Sequence, residues 1–292
     1  MEKKKTIMLV PIDFSEISLN ALAHAAQIAK HFDNDLVLLS ILEEDFLSNI
    51  FSFSKNDTKE NLAKEALMGR LKEKAAEIQN KYGIVCKVDV RSGKIYRTVI
   101  ETAEEFGCDC IIMGTHGASG TERIIGSNAS RVISYSSMPV IVVKTDKNPN
   151  AYKNIIFPLD LSSESKQKVK WAIHLGKSYK STIHILTYNV GDEFLNNKLM
   201  ANLKQIQLLL DENGISHSET VVDSSSDFAR KTLDFAETKL ADLIMIMTQQ
   251  EDKSIREYVI ETYAQQIVND SGNVPVFCVN PSYDGFKSEF VI

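Results

Sequence analysis

The sequence is poor in cysteine and carries no excess of basic charge. Its four cysteines are scattered, and Cys108 and Cys110 flank a single aspartate at the start of an apolar run, which favours buried thiols over a disulfide or a metal pair. Such sparse cysteines are typical of the reducing cytoplasm. The formal net charge of −6 offers no electrostatic surface for nucleic acid. We therefore expect a cytoplasmic protein without a nucleic-acid partner.

Long apolar runs are also missing. No run approaches the roughly 20 residues that cross a bilayer, and the start "MEKKKTIMLVPIDFS" breaks at Pro11 and Asp13, too early for a secretory signal. Hydrophobic residues still make up 43% of the 292 residues, as in ordinary globular domains. The sequence predicts one large or two ordinary domains with no membrane partner.

What the chain does contain is an internal repeat. Three blocks of the first half recur in the same order in the second half, which indicates tandem copies of one domain. The blocks pair as "IMLVPIDFS" (7–15) with "NIIFPLDLS" (154–162), "CDCIIMGTHG" (108–117) with "ADLIMIMTQQ" (241–250), and "SSMPVIVVK" (136–144) with "GNVPVFCVN" (272–280).

A polar stretch, "TDKNPNAYK", separates the two copies and carries the Asn-Pro signal of a linker. We predict a first domain at residues 1–146, a second domain at 151–281 and a C-terminal tail at 282–292. After the second strand, "EEDFLSNIFSFSKND" (43–57) is interpreted either as a short packed helix, which we favour, or as a lid.

Within each copy, short β-branched runs alternate with helical patterns. This alternation predicts parallel βαβ units with right-handed crossovers, and hence two tandem doubly wound five-stranded parallel sheets, an α/β fold. Ser15 is the predicted N-cap of the first helix. The predicted strands are 6–12, 35–42, 84–91, 109–114 and 139–143, then 154–159, 182–188, 217–223, 242–247 and 275–279; the first-half helices are 17–31, 59–81, 96–106 and 127–136.

A glycine-rich segment, "GTHGASGTERIIGSN" (114–128), follows the predicted fourth strand. Ligands of doubly wound sheets bind beyond the carboxyl ends of the strands, where Asp13 and Ile41 also fall. A helix start at Ser127 offers free N–H groups to an anion, and the glycines allow positive φ and close approach to a phosphate. There is no Walker A or GxGxxG motif, so a plain strand-to-helix turn remains an equal interpretation of this segment alone.

The blocks "VPIDFS", "SGKIYRTVIETAEE" and "MGTHGASG…GSNASRVI…MPVIVV" together resemble the universal stress protein family, over essentially the whole chain as two tandem copies. The resemblance implies an adenine nucleotide alpha hydrolase-like fold. For members with the signature G-x2-G-x9-G-(S/T), it also implies ATP in the crevice, with Mg²⁺ as a possible companion. Here eight residues, not nine, separate Gly117 from Gly126, and Gly120 is available to absorb the difference.

The resemblance also implies a role for each position of the first copy. Asp13 would lie near adenosine or ribose, and the backbone of Ile41 would bind adenine. The remaining implied site residues are Pro11 and Met113 as pocket lining, Gly114, Gly117, Gly126, Ser127 and Asn128 around ribose and phosphates, and His116 in the small-x-His-Gly pattern.

The second copy has lost this signature. Met247 stands opposite Gly114 and Gln250 opposite Gly117, while Glu261 would repel phosphate. We predict that this half does not bind ATP through a glycine loop. Because single-domain members of the family commonly pair through their last strands, the resemblance implies an internal pseudo-dimer of the two domains, with a homodimer of whole chains as a further possibility.

The leading functional hypothesis is a cytoplasmic, ATP-binding protein of stress response or signalling with little or no turnover. No base, nucleophile, Walker lysine or metal-ligand spacing accompanies the glycine segment, so we assign no catalytic and no metal residue. Two alternatives stay open. One is a tandem scaffold or signalling module that does not bind nucleotide, and the other is a slow nucleotide hydrolase.

Overall fold

The chain divides into two compact units, residues 1–150 and 151–292. The computed structural model describes residues 5–43, 57–115, 125–145, 151–162, 164–248 and 262–281. The predictions for the segment after the second strand, for His116, Gly117 and Gly120, and for the tail lie outside these residues. Within the described part, no helix combines the length and the apolarity that a bilayer span requires.

The first unit confirms the predicted alternation of strands and helices. Its parallel strands lie in the order β3-β2-β1-β4-β5. The described elements are β1 (Ile7–Pro11), α1 (Glu16–Phe32), β2 (Asp35–Leu42), α2 (Asp57–Tyr82), β3 (Cys86–Ser92), α3 (Ile95–Glu105), β4 (Cys110–Gly114), α4 (Ser127–Tyr135) and β5 (Val140–Val143).

The strand order of this unit reverses beside β1. The chain runs outward from β1 to β3 and then returns to β4 on the other side of β1. With right-handed crossovers, α1 and α2 cover one face of the sheet and α3 and α4 the other, in agreement with the contacts of α1 with α2 and of α3 with α4. The fold therefore opens a crevice at the carboxyl ends of β1 and β4.

The start of α1 forms as the sequence predicts. The Ser15 hydroxyl accepts a hydrogen bond from the N–H of Ser18. One Asp13 oxygen accepts from both the N–H and the hydroxyl of Ser15, at 3.0 and 2.6 Å. Phe14, between them, has the left-handed φ of 64°, and the Arg70 guanidinium lies 3.7 Å from its ring centroid. Asp13 is thus held at the crevice edge by its own turn.

The second unit repeats this topology, with parallel strands in the order β10-β9-β6-β7-β8. One difference lies at its first helix: a 3₁₀ turn at Glu164–Lys166 precedes a shorter α-helix. The described elements are β6 (Asn154–Pro158), α5 (Val169–Tyr179), β7 (Thr182–Tyr188), α6 (Glu193–Glu212), β8 (Ser216–Val222), α7 (Phe228–Thr238), β9 (Leu243–Met247), α8 (Thr262–Asp270) and β10 (Val276–Val279).

A histidine links three strands of the second unit. The Nδ1 atom of His184 on β7 lies 2.8 Å from the Ser218 hydroxyl on β8, and its Nε2 atom lies 3.1 Å from the side-chain Oδ1 atom of Asn154 on β6. Burial and, to a lesser extent, the Lys239 ammonium lower the pKa of His184. The neutral imidazole is therefore the form that the folded second unit favours.

We expect the second unit to lose stability as the pH falls below about 6.5, the ordinary pKa of histidine. Between that value and the lowered pKa of His184, the unfolded chain binds a proton that the folded chain does not, so acid favours unfolding. His184→Gln should flatten this dependence, whereas His31→Gln in the first unit should not. Urea midpoints at pH 8 and pH 5.5, followed by fluorescence of the single tryptophan, Trp171, measure it. Equal pH dependence in wild type and His184→Gln would contradict the assignment.

Candidate functional site

The carboxyl edge of the first sheet gathers the predicted residues of the described chain. β1 pairs with both β2 and β4, so the ends of these three strands are neighbours. Pro11 closes β1 and Gly114 closes β4, while Ile41 is the penultimate residue of β2. Met113 is only 7% exposed within β4. The fold thus brings Asp13, Ile41 and Gly114 to one edge.

Gly114 lies there for a reason other than the one the sequence suggested. The expectation of positive φ is wrong for both described glycines of the segment, because Gly126 has φ −64° and Gly114 is not among the residues with positive φ. A Cβ atom on Gly114 would lie 2.5 Å from the Ile17 Cγ2 atom and 3.3 Å from the Ile17 backbone. The glycine therefore permits close approach of β4 to the first turn of α1.

The two ends of the glycine-rich segment are joined. The N–H of Gly126 donates to the Thr115 carbonyl oxygen at 2.8 Å, which holds the start of α4 against the end of β4. The interval between Gly117 and Gly126 is one residue shorter than in the family signature. Ser127 nevertheless lies next to the end of β4. His116 and Gly117, which lie between these ends, are outside the described residues.

A cavity of about 350 Å³ opens between the carboxyl end of β2 and the starts of α3 and α4. The N–H of Gly93 donates to the Leu42 carbonyl oxygen at 3.0 Å and brings the turn before α3 to the end of β2. Gly93 has φ 147°, a conformation that favours glycine. The described lining residues are Glu43, Gly93, Lys94, Ile95, Tyr96, Ser127, Asn128 and Arg131.

Among the described residues that line the cavity, two are predicted site residues, Ser127 and Asn128. Sequence reasoning missed Glu43, Arg131 and the turn at Gly93–Tyr96. The segment "SGKIYRTVIETAEE" contributed to the family resemblance, but its spacing gave no reason to place it opposite α4. Asp13, Pro11 and Met113 lie outside the lining of this cavity as the structure describes it.

The chemistry of the cavity suits an anion. α3 and α4 both begin at it, and their N-cap residues, Lys94 and Gly126, make no side-chain capping hydrogen bond. Helix N-termini carry free N–H groups and a partial positive charge. The Arg131 guanidinium lies 5.2 Å from the Tyr96 ring centroid, within the range of a cation–π contact.

The equivalent crevice of the second unit is filled with aromatic side chains. Equal strand registers place Tyr188 opposite Ile41, and equal helix lengths place Phe228 opposite Ile95 and Tyr263 opposite Asn128. The Phe228 ring lies 4.8 Å from the Tyr188 ring and is stacked on the Tyr263 ring at 5.7 Å between centroids. The Tyr263 hydroxyl also lies 3.2 Å from the Thr232 hydroxyl.

A lysine lies beneath the same crevice of the second unit. Lys168 is 2% exposed, and its ammonium donates to the Pro158 carbonyl oxygen at 2.6 Å and to the Ser165 hydroxyl at 3.0 Å. Its Nζ atom lies 4.5 Å from the Phe157 ring centroid. Burial lowers the pKa of Lys168 to about 8, against the opposing effect of Asp160. Strand register equates Pro158 with Pro11 and Asp160 with Asp13.

The donor set for a metal is sparse in the described chain. No group of three or more His, Cys, Asp and Glu side chains is placed there to hold an ion. At the crevice, one Asp13 oxygen accepts two hydrogen bonds from Ser15. A divalent ion at this edge would need ligand oxygens, such as those of phosphates, besides the protein's own carboxylates.

Comparisons with known proteins match both halves. The Universal stress protein family matches residues 5–144 and 151–280. Universal stress protein MJ0531 of Methanocaldococcus jannaschii is 33% identical over 48% of this chain and 82% of its own length, and MJ0577 of the same organism is 31% identical over 47% and 93%. A universal stress protein crystal structure from Archaeoglobus fulgidus covers 96% of this chain and 100% of its own, with a TM-score of 0.78 at 20% identity, which supports the fold.

Proposed function

Because the chain belongs to the universal stress protein family as two tandem domains, we propose that its first domain binds ATP and that the second does not. The protein then acts in stress response or signalling by binding, with little or no turnover, in the cytoplasm. The sparse, largely buried cysteines support a reducing compartment.

The observation that carries this proposal is the contrast between two equivalent crevices in one chain. The first offers a cavity of about 350 Å³ beside two helix N-termini without side-chain caps. At the equivalent positions of the second, Tyr188, Phe228 and Tyr263 pack on one another. A nucleotide therefore has room and hydrogen-bond donors in one domain and finds aromatic rings in the other.

The described residues carry the kinds of hydrogen-bonding groups that a nucleotide requires. The N–H groups at the start of α4, together with Ser127 and Asn128, would donate to phosphate or ribose oxygens. The backbone at Ile41 would bind adenine, with Asp13 near the ribose. Mg²⁺ would enter with the phosphates, and Asp13 is the candidate carboxylate. No general base is assigned, which supports binding over turnover.

The pairing of the two domains is also proposed from the sequence. The apolar last-strand sequences "MPVIVVK" and "VPVFCVN" support an internal pseudo-dimer of the two domains. Light scattering during size-exclusion chromatography tests the further possibility of a homodimer. A mass of 32.7 kDa at all concentrations would contradict it.

We expect freshly purified protein to release adenine nucleotide when it is denatured. Chromatography of the supernatant identifies the nucleotide, and calorimetry with ATP and Mg²⁺ on nucleotide-free protein should show one site per chain. Two sites would contradict the assignment of the second domain. If the protein neither releases copurified nucleotide nor binds added ATP, ATP binding is contradicted.

A further inference from the structure

The described lining of the first domain's cavity carries more positive than negative charge. Lys94 and Arg131 approach it from two different helices, and Glu43 is the single acidic residue among its described lining. Tyr96, whose ring lies beside the Arg131 guanidinium, lines the same wall. Two basic groups on opposite elements can bind one anionic group from two sides.

The helix starts at this cavity, like those of α5 and α7, have no side-chain cap, whereas α1 and α6 do. α1 and α6 begin with side-chain caps, where Ser15 accepts from the N–H of Ser18 and Asp192 accepts from the N–H of Leu195. The N-caps of α3 and α4, Lys94 and Gly126, make no such bond. At the cavity, therefore, the free N–H groups of two helices add to the two basic side chains as donors for an anion.

The second domain serves as an internal comparison. By helix position, Asp227 replaces Lys94 and Gln266 replaces Arg131. Phe228 and Tyr263 occupy the equivalent space, stacked on each other at 5.7 Å. The two basic residues are thus replaced where aromatic rings pack on each other. The second unit forms the same strand order without these two basic residues, so the fold does not require them.

From these observations we infer that Lys94 and Arg131 bind the phosphate groups of the ligand and make the first domain select nucleotides over nucleosides. The inference rests on the proposed ATP binding and adds to it the residues that discriminate by charge. Neither residue belongs to the glycine-rich segment. Both groups interact with phosphate through charge, so the contribution should weaken as salt rises.

The test measures binding of ATP, adenosine and inorganic tripolyphosphate by wild type and by Lys94→Gln, Arg131→Gln and the double variant. Each single substitution should weaken ATP binding by about tenfold, or about 1.4 kcal/mol, because it removes one charge-assisted hydrogen bond to phosphate. The double variant should bind ATP no more tightly than adenosine. Adenosine affinity should stay the same in all four proteins, which also reports intact folding of the site.

The matched control is Lys177→Gln with Arg230→Gln, which removes the same two charges from exposed positions of the second domain. This control should bind ATP like wild type. Unchanged ATP affinity in the Lys94/Arg131 double variant would overturn the inference while leaving ATP binding intact. If wild type binds neither ATP nor adenosine, the proposed function fails, and tripolyphosphate decides the inference separately. Binding that the double variant loses supports an anion site, and no binding overturns it.

Discussion

Replacing Asn128 by tyrosine is expected to abolish ATP binding by the first domain. Asn128 lines the cavity at the start of α4, and the second domain has Tyr263 at the equivalent position, stacked on Phe228. A phenol ring at residue 128 would enter the cavity against Ile95, the counterpart of Phe228. We expect at least a 100-fold loss of affinity, measured by calorimetry with ATP and Mg²⁺.

The matched control is the reverse substitution, Tyr263→Asn. It removes an aromatic ring from the second domain and should leave the ATP affinity of the first domain unchanged. It should lower the urea midpoint followed by Trp171 fluorescence, because ring packing beyond simple burial contributes about 0.5–1.5 kcal/mol per aromatic pair. Wild-type ATP affinity in Asn128→Tyr would show that the nucleotide binds elsewhere.

Replacing Gly114 by alanine is expected to destabilise the first domain by about 2 kcal/mol, the middle of the range for overpacked sites. The new Cβ atom would lie 2.5 Å from the Ile17 Cγ2 atom. Relief would require α1 to move away from β4, and α1 follows directly on the Asp13 turn. ATP affinity should therefore fall as well. Urea unfolding followed by far-ultraviolet circular dichroism measures the loss of stability.

Two further variants separate this contact from a general effect of alanine. Gly69 lies exposed in α2, and a Cβ atom there meets nothing within 4 Å, so Gly69→Ala should stabilise the protein by about 1 kcal/mol. Ile17→Ala removes the clashing methyl group and should recover part of the loss in Gly114→Ala. The Trp171 transition, which follows the second domain, should not shift. Additive effects of Ile17→Ala and Gly114→Ala would contradict the contact.

The second domain shows how a repeat accommodates a larger residue at the same place. Strand register puts Met247 opposite Gly114. There, the α-helix that follows the first strand begins only at Val169, after the 3₁₀ turn at Glu164–Lys166. β9 contacts that turn, as β4 contacts α1 in the first domain. The glycine and the complete first turn of α1 therefore belong together, and both are absent from the second domain.

Local patterns were enough to predict the elements and the sheet edge at which the candidate site residues meet. The periods of the strands and helices and the Ser15 cap depend on residues close in sequence, and the structure confirms them. It also confirms the repeat. The parallel order of strands then brings Asp13, Ile41 and Gly114 to one edge, because the carboxyl ends of parallel strands coincide. The prediction of positive φ at Gly114 and Gly126 was wrong because glycine adopts negative φ as readily as positive φ.

The tertiary structure decided which residues form the cavity and what fills its counterpart. Lys94 lies 51 positions after Glu43, and Arg131 lies 37 positions after Lys94. The packing of α3 and α4 on one face of the sheet brings these residues together. Tyr188, Phe228 and Tyr263 likewise belong to three elements that meet in space. The spacing of apolar residues in the sequence indicates whether one segment is a strand or a helix. Contacts between distant elements depend instead on strand order and on the shapes of the side chains between them.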